Sequence, residues 1–89
     1  IHARGDSMSP FIDDDDKLIV EHSEGEQIID NKIYVFCYKN EFFVKRLAKN
    51  VDELIVKSDN SAYAQRTIIS KELDDVLVLG RVVGVIRTV

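Results

Sequence analysis

The chain never sustains a helical pattern. No window of a dozen residues keeps apolar side chains at i, i+3, i+4 and i+7, the spacing that gives a helix a buried face. Short runs rich in valine, isoleucine and aromatic residues recur instead, each ended by polar or turn-forming residues, which is the pattern of strands. Residues 17–21 carry Leu18, Ile19 and Val20, and residues 33–38 form a β-branched and aromatic run. Residues 41–47 follow, and Lys39-Asn40 between them fits the turn of a hairpin. Glu53–Lys57 is a fourth strand; residues 76–79 and 81–88 are the last two, with Gly80 and Gly84 placing bends or bulges in a nearly continuous run. Helical signal is confined to short turns at residues 7–11 and 63–67. The expected fold is mostly β: a small domain of twisted antiparallel strands with little helix.

Size limits what such a sheet can bury. At 89 residues the chain is expected to be one domain, residues 1–89. A domain of this size buries only roughly 60–65% of its unfolded surface, so a partner subunit would usefully cover part of it. No apolar run approaches the roughly 18 residues needed to span a membrane, and no stretch resembles a signal peptide. The chain starts at Ile1 with a turn signal directly after it, and is expected to be a fragment or processed product of something longer.

A net charge of −4 argues against DNA binding by this chain itself, because a phosphate track needs dense cations. Lys45-Arg46 is the only adjacent basic pair among residues 1–89, too short for a basic patch. Cys37 is the only cysteine. It excludes an intramolecular disulfide and a cysteine-based zinc site, and its apolar run predicts a buried core thiol in a reducing cytoplasm. The acidic residues 13–16 lack the sixth-position glycine and twelfth-position glutamate of a calcium loop. They are expected to form a turn, with no metal and no cofactor.

Two segments carry chemistry. Gly5-Asp6-Ser7-Met8-Ser9-Pro10 puts a serine in a tight turn beside a glycine, with Pro10 fixing the exit. A serine hydroxyl needs a proton acceptor before it becomes a nucleophile. The histidines, His2 at the start and His22 in the polar stretch 22–27, have no context of a buried base. A lysine can replace them when its amine is neutral, and desolvation lowers its pKa toward that state. Lys45 lies in Phe43-Val44-Lys45-Arg46-Leu47, sharing a face with Phe43 and Leu47 by the period of two. On the residues alone, Lys45 snorkelling into water and Ser7 or Ser9 acting as ordinary turn serines remain open alternatives.

Taken in order, these segments resemble the LexA-like self-cleaving peptidase domain. That domain is the C-terminal half of LexA and of many phage repressors, occurs in UmuD-type accessory proteins and is more distantly related to signal peptidases. The resemblance starts at residues 5–10 and 12–20, continues at Val44-Lys45-Arg46-Leu47 and Ser58-Asp59-Asn60-Ser61-Ala62-Tyr63, and closes with Leu79-Gly80-Arg81-Val82-Val83-Gly84. It implies Ser7 as nucleophile and Lys45 as general base. It implies an oxyanion hole from the backbone N–H groups of Ser7 and Asp6, and Met8 packed beside the site and lining a substrate cleft. Asp15 and Asn31 stand where the family often has turn glycines, and Ser61 replaces a usual proline.

The resemblance also implies a homodimer, with the apolar residues 82–89 suited to the interface. Operator DNA would be reached only through an N-terminal helix-turn-helix domain. A RecA filament would be a possible co-protease. The scissile Ala-Gly or Cys-Gly bond of the family would lie upstream, and this chain contains neither dipeptide. The implied function is autoproteolysis of a repressor linker. The alternatives are a non-cleaving dimerisation module and a UmuD-like DNA-damage-response accessory subunit.

Overall fold

The computed structural model describes residues 1–22 and 27–88. Its strands are β1 (Lys17–His22), β2 (Lys32–Tyr38), β3 (Glu41–Lys49), β4 (Glu53–Lys57), β5 (Arg66–Ile69) and β6 (Val76–Ile86), with a 3-10 helix at Ser70–Asp75. All pair antiparallel in one sheet of order β1-β6-β2-β3-β4-β5. The mostly β expectation is borne out. Residues 23–26 of the polar stretch 22–27, and Val89 of the expected interface segment, lie outside the described residues.

Local chemistry explains most of the turns. Lys39 and Asn40 both have positive φ, 50° and 66°, and Tyr38 pairs with Glu41, so the β2–β3 connection is a two-residue hairpin whose twist matches its strands. Asp15 and Asn31 have φ of 70° and 68°. These are the positions where the resembled family often has a turn glycine, and short polar side chains tolerate that conformation. The turn at residues 7–11 contains one helical bond, from Ile12 N–H to Met8 C=O at 2.9 Å.

The last two predicted strands are a single one, β6, with two register shifts. Leu79 is the unpaired residue against β2 and Val83 against β1, each directly before a glycine. Gly80 is there for closeness as well: a Cβ would sit 2.4 Å from the Glu21 carbonyl oxygen. The expected helical turn at residues 63–67 is not formed. Arg66 and Thr67 are extended in β5, paired with Val56 and Ile55. Helix-forming residues such as Ala64, Gln65 and Arg66 yielded to the open edge of β4, whose backbone groups need partners.

Each face of the sheet carries its own core. Tyr34, Phe36 and Tyr38 of β2 join Leu47, Leu54, Val56 and Ile68, with Phe43 packed against them. On the other face Leu18 and Ile33 are covered by Ala3, Met8 and Ile12 of the N-terminal segment, with Val44 and Val82 at the margin. Met8 is 4% exposed and Ile12 1%. Burying each contributes about 1.5–3 kcal/mol, which seats the turn between them on the sheet. The same segment shields the outer edge of β1: His2 bridges Lys17, and Leu18 N–H donates to Ile1 C=O at 2.8 Å. Cys37 is half-buried rather than fully buried, because its row, between Leu77 and Phe42, faces solvent at 62% and 72% exposure.

Candidate active site

Ser7 sits in the turn that Met8 and Ile12 anchor. Gly5 starts that turn at φ 80° with nothing within 4 Å of a would-be Cβ, so glycine is required here by the backbone and not by space. Gly5 N–H donates to Asp14 Oδ1 at 2.7 Å. The turn is gripped from the other side by residues 58–63: Asn60 N–H donates to Ser7 C=O at 2.9 Å, and Asn60 Nδ2 to Asp6 C=O at 3.0 Å. The Tyr63 hydroxyl donates to Asp6 Oδ1 in a short bond.

Lys45 reaches this turn from the middle of β3. Its Nζ donates to Ser7 Oγ at 2.6 Å and to Ser58 Oγ at 3.0 Å. The stem runs along the side of the first core, on the face of Phe43 and Leu47. The amine also lies 5.5 Å from the centroid of the Tyr63 ring. That ring attracts an ammonium, but burial disfavours the charged form, and the positive charge of Arg66 adds to it. Together they hold the Lys45 pKa below the ordinary lysine value.

The next residue on β3 locks the partner loop. Arg46 forks onto Asp59, Nε to Oδ1 at 2.7 Å and Nη2 to Oδ2 at 3.1 Å, and its guanidinium stacks 5.3 Å from the Phe11 ring centroid. Asp59 N–H in turn donates to Met8 Sδ at 3.4 Å. One dipeptide, Lys45-Arg46, thus ties the serine turn and the 58–63 loop to the same strand.

A cleft of about 470 Å³ opens at this point, lined by Ser7, Met8, Val35, Phe43, Lys45 and Leu79 among others. The backbone N–H groups of Asp6 and Ser7 donate to no protein acceptor among the described residues. Of the other candidates, Ser9 donates its hydroxyl to Asp13 Oδ1 at 2.6 Å. His2 lines the cleft, and His22 lies in β1. The Ser7 hydroxyl takes its hydrogen bond from Lys45, not from a histidine.

The model of the peptidase S24-like family matches residues 1–83. The chain belongs to that family. A 26 kDa repressor protein of Escherichia phage HK022 is 36% identical over 86 aligned positions, which cover 92% of this chain. The chain spans only 34% of that repressor's length. The LexA-like resemblance read from the sequence is borne out, and this S24 chain is a serine-peptidase-type domain of the repressor kind. Among the described residues, no helix is long and apolar enough to cross a membrane.

Several contacts of this S24 site were not anticipated. The motif Ser58 to Tyr63 was recognised as a segment, but not the contact of Ser58 with Lys45 or the hold of Asn60 and Tyr63 on the serine turn. The acidic residues 13–16 form a turn as expected, yet Asp16 is 3% exposed and bonded to Arg87, far along the chain. An alternating strand with one interior lysine signals Lys45; no spacing rule signals Ser58 or Arg87.

Proposed function

We propose that this chain is the Ser-Lys autoproteolytic domain of a phage-type transcriptional repressor. It cuts a linker upstream of itself, separating a DNA-binding half from the half that dimerises. The observation that carries the reading is the 2.6 Å approach of a partly desolvated Lys45 amine to the Ser7 hydroxyl. A neutral Lys45 accepts the Ser7 proton as Ser7 Oγ attacks the scissile carbonyl carbon. The negative charge on the carbonyl oxygen is met by the free N–H groups of Ser7 and Asp6. As the C–N bond breaks, the Lys45 ammonium returns its proton to the leaving amine, leaving an ester on Ser7. Water then attacks that ester, giving a proton to Lys45. As the bond between the acyl carbon and Ser7 Oγ breaks, the Lys45 ammonium passes that proton to Ser7 Oγ, so the carboxyl product departs with both Ser7 and the neutral amine restored. A RecA filament as stimulating partner remains part of this proposal.

The test is self-cleavage of the chain joined to its upstream segment, at alkaline pH. Wild type should cut itself; Ser7→Ala should not, and Lys45→Ala should be slower by about 10²–10⁴-fold. An intact wild type under all conditions, or a Lys45→Ala variant as fast as wild type, overturns the reading.

A dimerising role has its own observation. Ile19 of β1 and Val83 and Ile86 of β6 are 46%, 50% and 51% exposed, apolar side chains on neighbouring strands at one end of the sheet. Sedimentation at micromolar concentration should find a dimer that Val83→Asp with Ile86→Asp makes monomeric. A wild type that is strictly monomeric contradicts this role.

A further inference from the structure

The serine turn is held from a third direction, by a residue with no part in the proton transfer. Asp16 pairs through its backbone with Ala3 at the base of the segment that carries Ser7, and its carboxylate is buried at 3% exposure. It accepts from Asp13 N–H at 2.8 Å, and from Arg87 Nε at 3.0 Å and Nη2 at 2.7 Å. The same Nη2 lies 3.4 Å from Asp13 Oδ2 and donates to Phe11 C=O at 3.4 Å. Asp13 in turn receives the Ser9 hydroxyl at 2.6 Å, two positions from Ser7. One guanidinium, just beyond the end of β6, thus meets the turn at Phe11, Asp13 and Asp16.

A buried carboxylate without its cation is strongly destabilising where it sits, and must protonate or move toward water. Asp16 cannot move far without carrying the turn, because its own N–H donates to Asp13 C=O at 3.1 Å and its C=O accepts from Ala3 N–H at 2.8 Å. The contact between Lys45 and Ser7 spans 2.6 Å and tolerates little displacement. Misplacement by about 1 Å at such a centre costs on the order of 10²-fold in rate.

We propose that Arg87 is a positioning residue for Ser7: through Asp16, Asp13 and the Phe11 carbonyl it fixes the turn that aims the hydroxyl at Lys45. Its effect on cleavage rests on the Ser-Lys reading, while its hold on the turn does not. Among the described residues, Arg87 makes its hydrogen bonds and ion pairs with Phe11, Asp13 and Asp16 and none with Lys45, Ser7, Ser58 or Tyr63, so it sets the rate at full deprotonation and leaves the alkaline midpoint alone.

Arg87→Ala, Arg87→Lys and wild type are compared in the chain joined to its upstream segment, by self-cleavage across the lysine titration range and by amide hydrogen exchange. The expected result for Arg87→Ala is a plateau rate lower by about 10- to 100-fold with an unchanged midpoint, partly restored in Arg87→Lys. The amides of Ile12, Asp13 and Asp16 should exchange faster while those of β2 and β3 keep their protection. Unchanged exchange in the turn overturns the proposal, as does loss of protection throughout the sheet or a plateau equal to wild type. If wild type does not cut, the dyad reading falls, and turn exchange alone still decides the role of Arg87.

Discussion

The amine of Lys45 lies 2.6 Å from the hydroxyl of Ser7, across a separation of 38 positions in the chain. Neither residue is delivered by its own neighbourhood alone. Ser7 is placed by the burial of Met8 and Ile12 against one face of the sheet, Lys45 by its position between Phe43 and Leu47 on the other core. The strand therefore serves as the ruler for the site.

Arg66 tunes that amine. It flanks Lys45 in a small pocket of about 40 Å³, and its charge is the second cause, after burial, of the lowered lysine pKa. Arg66→Gln should move the alkaline midpoint of self-cleavage upward and slow the reaction near neutrality, with the high-pH plateau unchanged. A pH series of cleavage rates reads both.

Ser58 gives the amine a second hydroxyl contact beside Ser7. Its Oγ accepts from Lys45 Nζ at 3.0 Å. Removing one such bond from a partly solvated site costs about 0.5–1.5 kcal/mol. Ser58→Ala should therefore slow cleavage by about 2- to 10-fold, and Ser58→Thr should recover most of it.

The same depressed amine is a stability liability. Its folded pKa lies below the ordinary 10.5, so the unfolded chain binds more protons between the two values. The penalty is fully present below the folded pKa and fades as pH rises toward the unfolded one. Wild type should gain stability across that window. Lys45→Met, which keeps the apolar stem, should be flat there and more stable than wild type near neutrality. Denaturant melts at several pH values measure the difference.

Gly80 is a packing requirement. A methyl group there would meet the Glu21 carbonyl oxygen at 2.4 Å and Val20 Cγ1 at 2.6 Å. Since the first of these is backbone, β1 would have to withdraw from β6. Gly80→Ala should cost about 1–3 kcal/mol, seen as a lower denaturation midpoint.

Legibility followed the range of each interaction. β1 to β4 and β6 announce themselves through short runs of β-branched and aromatic residues, and positive φ at Asp15, Asn31 and Asn40 falls on residue types that tolerate it. β5 is legible only with its partner: Arg-Thr-Ile-Ile has one buried residue, Ile68, and is a strand because β4 offers an edge. In the site, Ser7 and Lys45 carry local signals, a glycine turn and an interior strand lysine. Ser58, Asn60 and Tyr63 act through contacts with residues 6, 7 and 45, and Arg87 through Asp16, 71 positions away. Charge pairs at such separations leave no spacing to read. Cys37 is half-buried for a related reason: its run is apolar, but its cross-strand neighbours Phe42 and Leu77 are themselves exposed.

The most direct measurement is the pH–rate profile of self-cleavage in the wild-type chain joined to its upstream segment. The expected rate climbs with pH as one group deprotonates and levels off, with a midpoint below the ordinary lysine value and the climb abolished in Lys45→Ala. A rate insensitive to pH, or the same climb in Lys45→Ala, would contradict it.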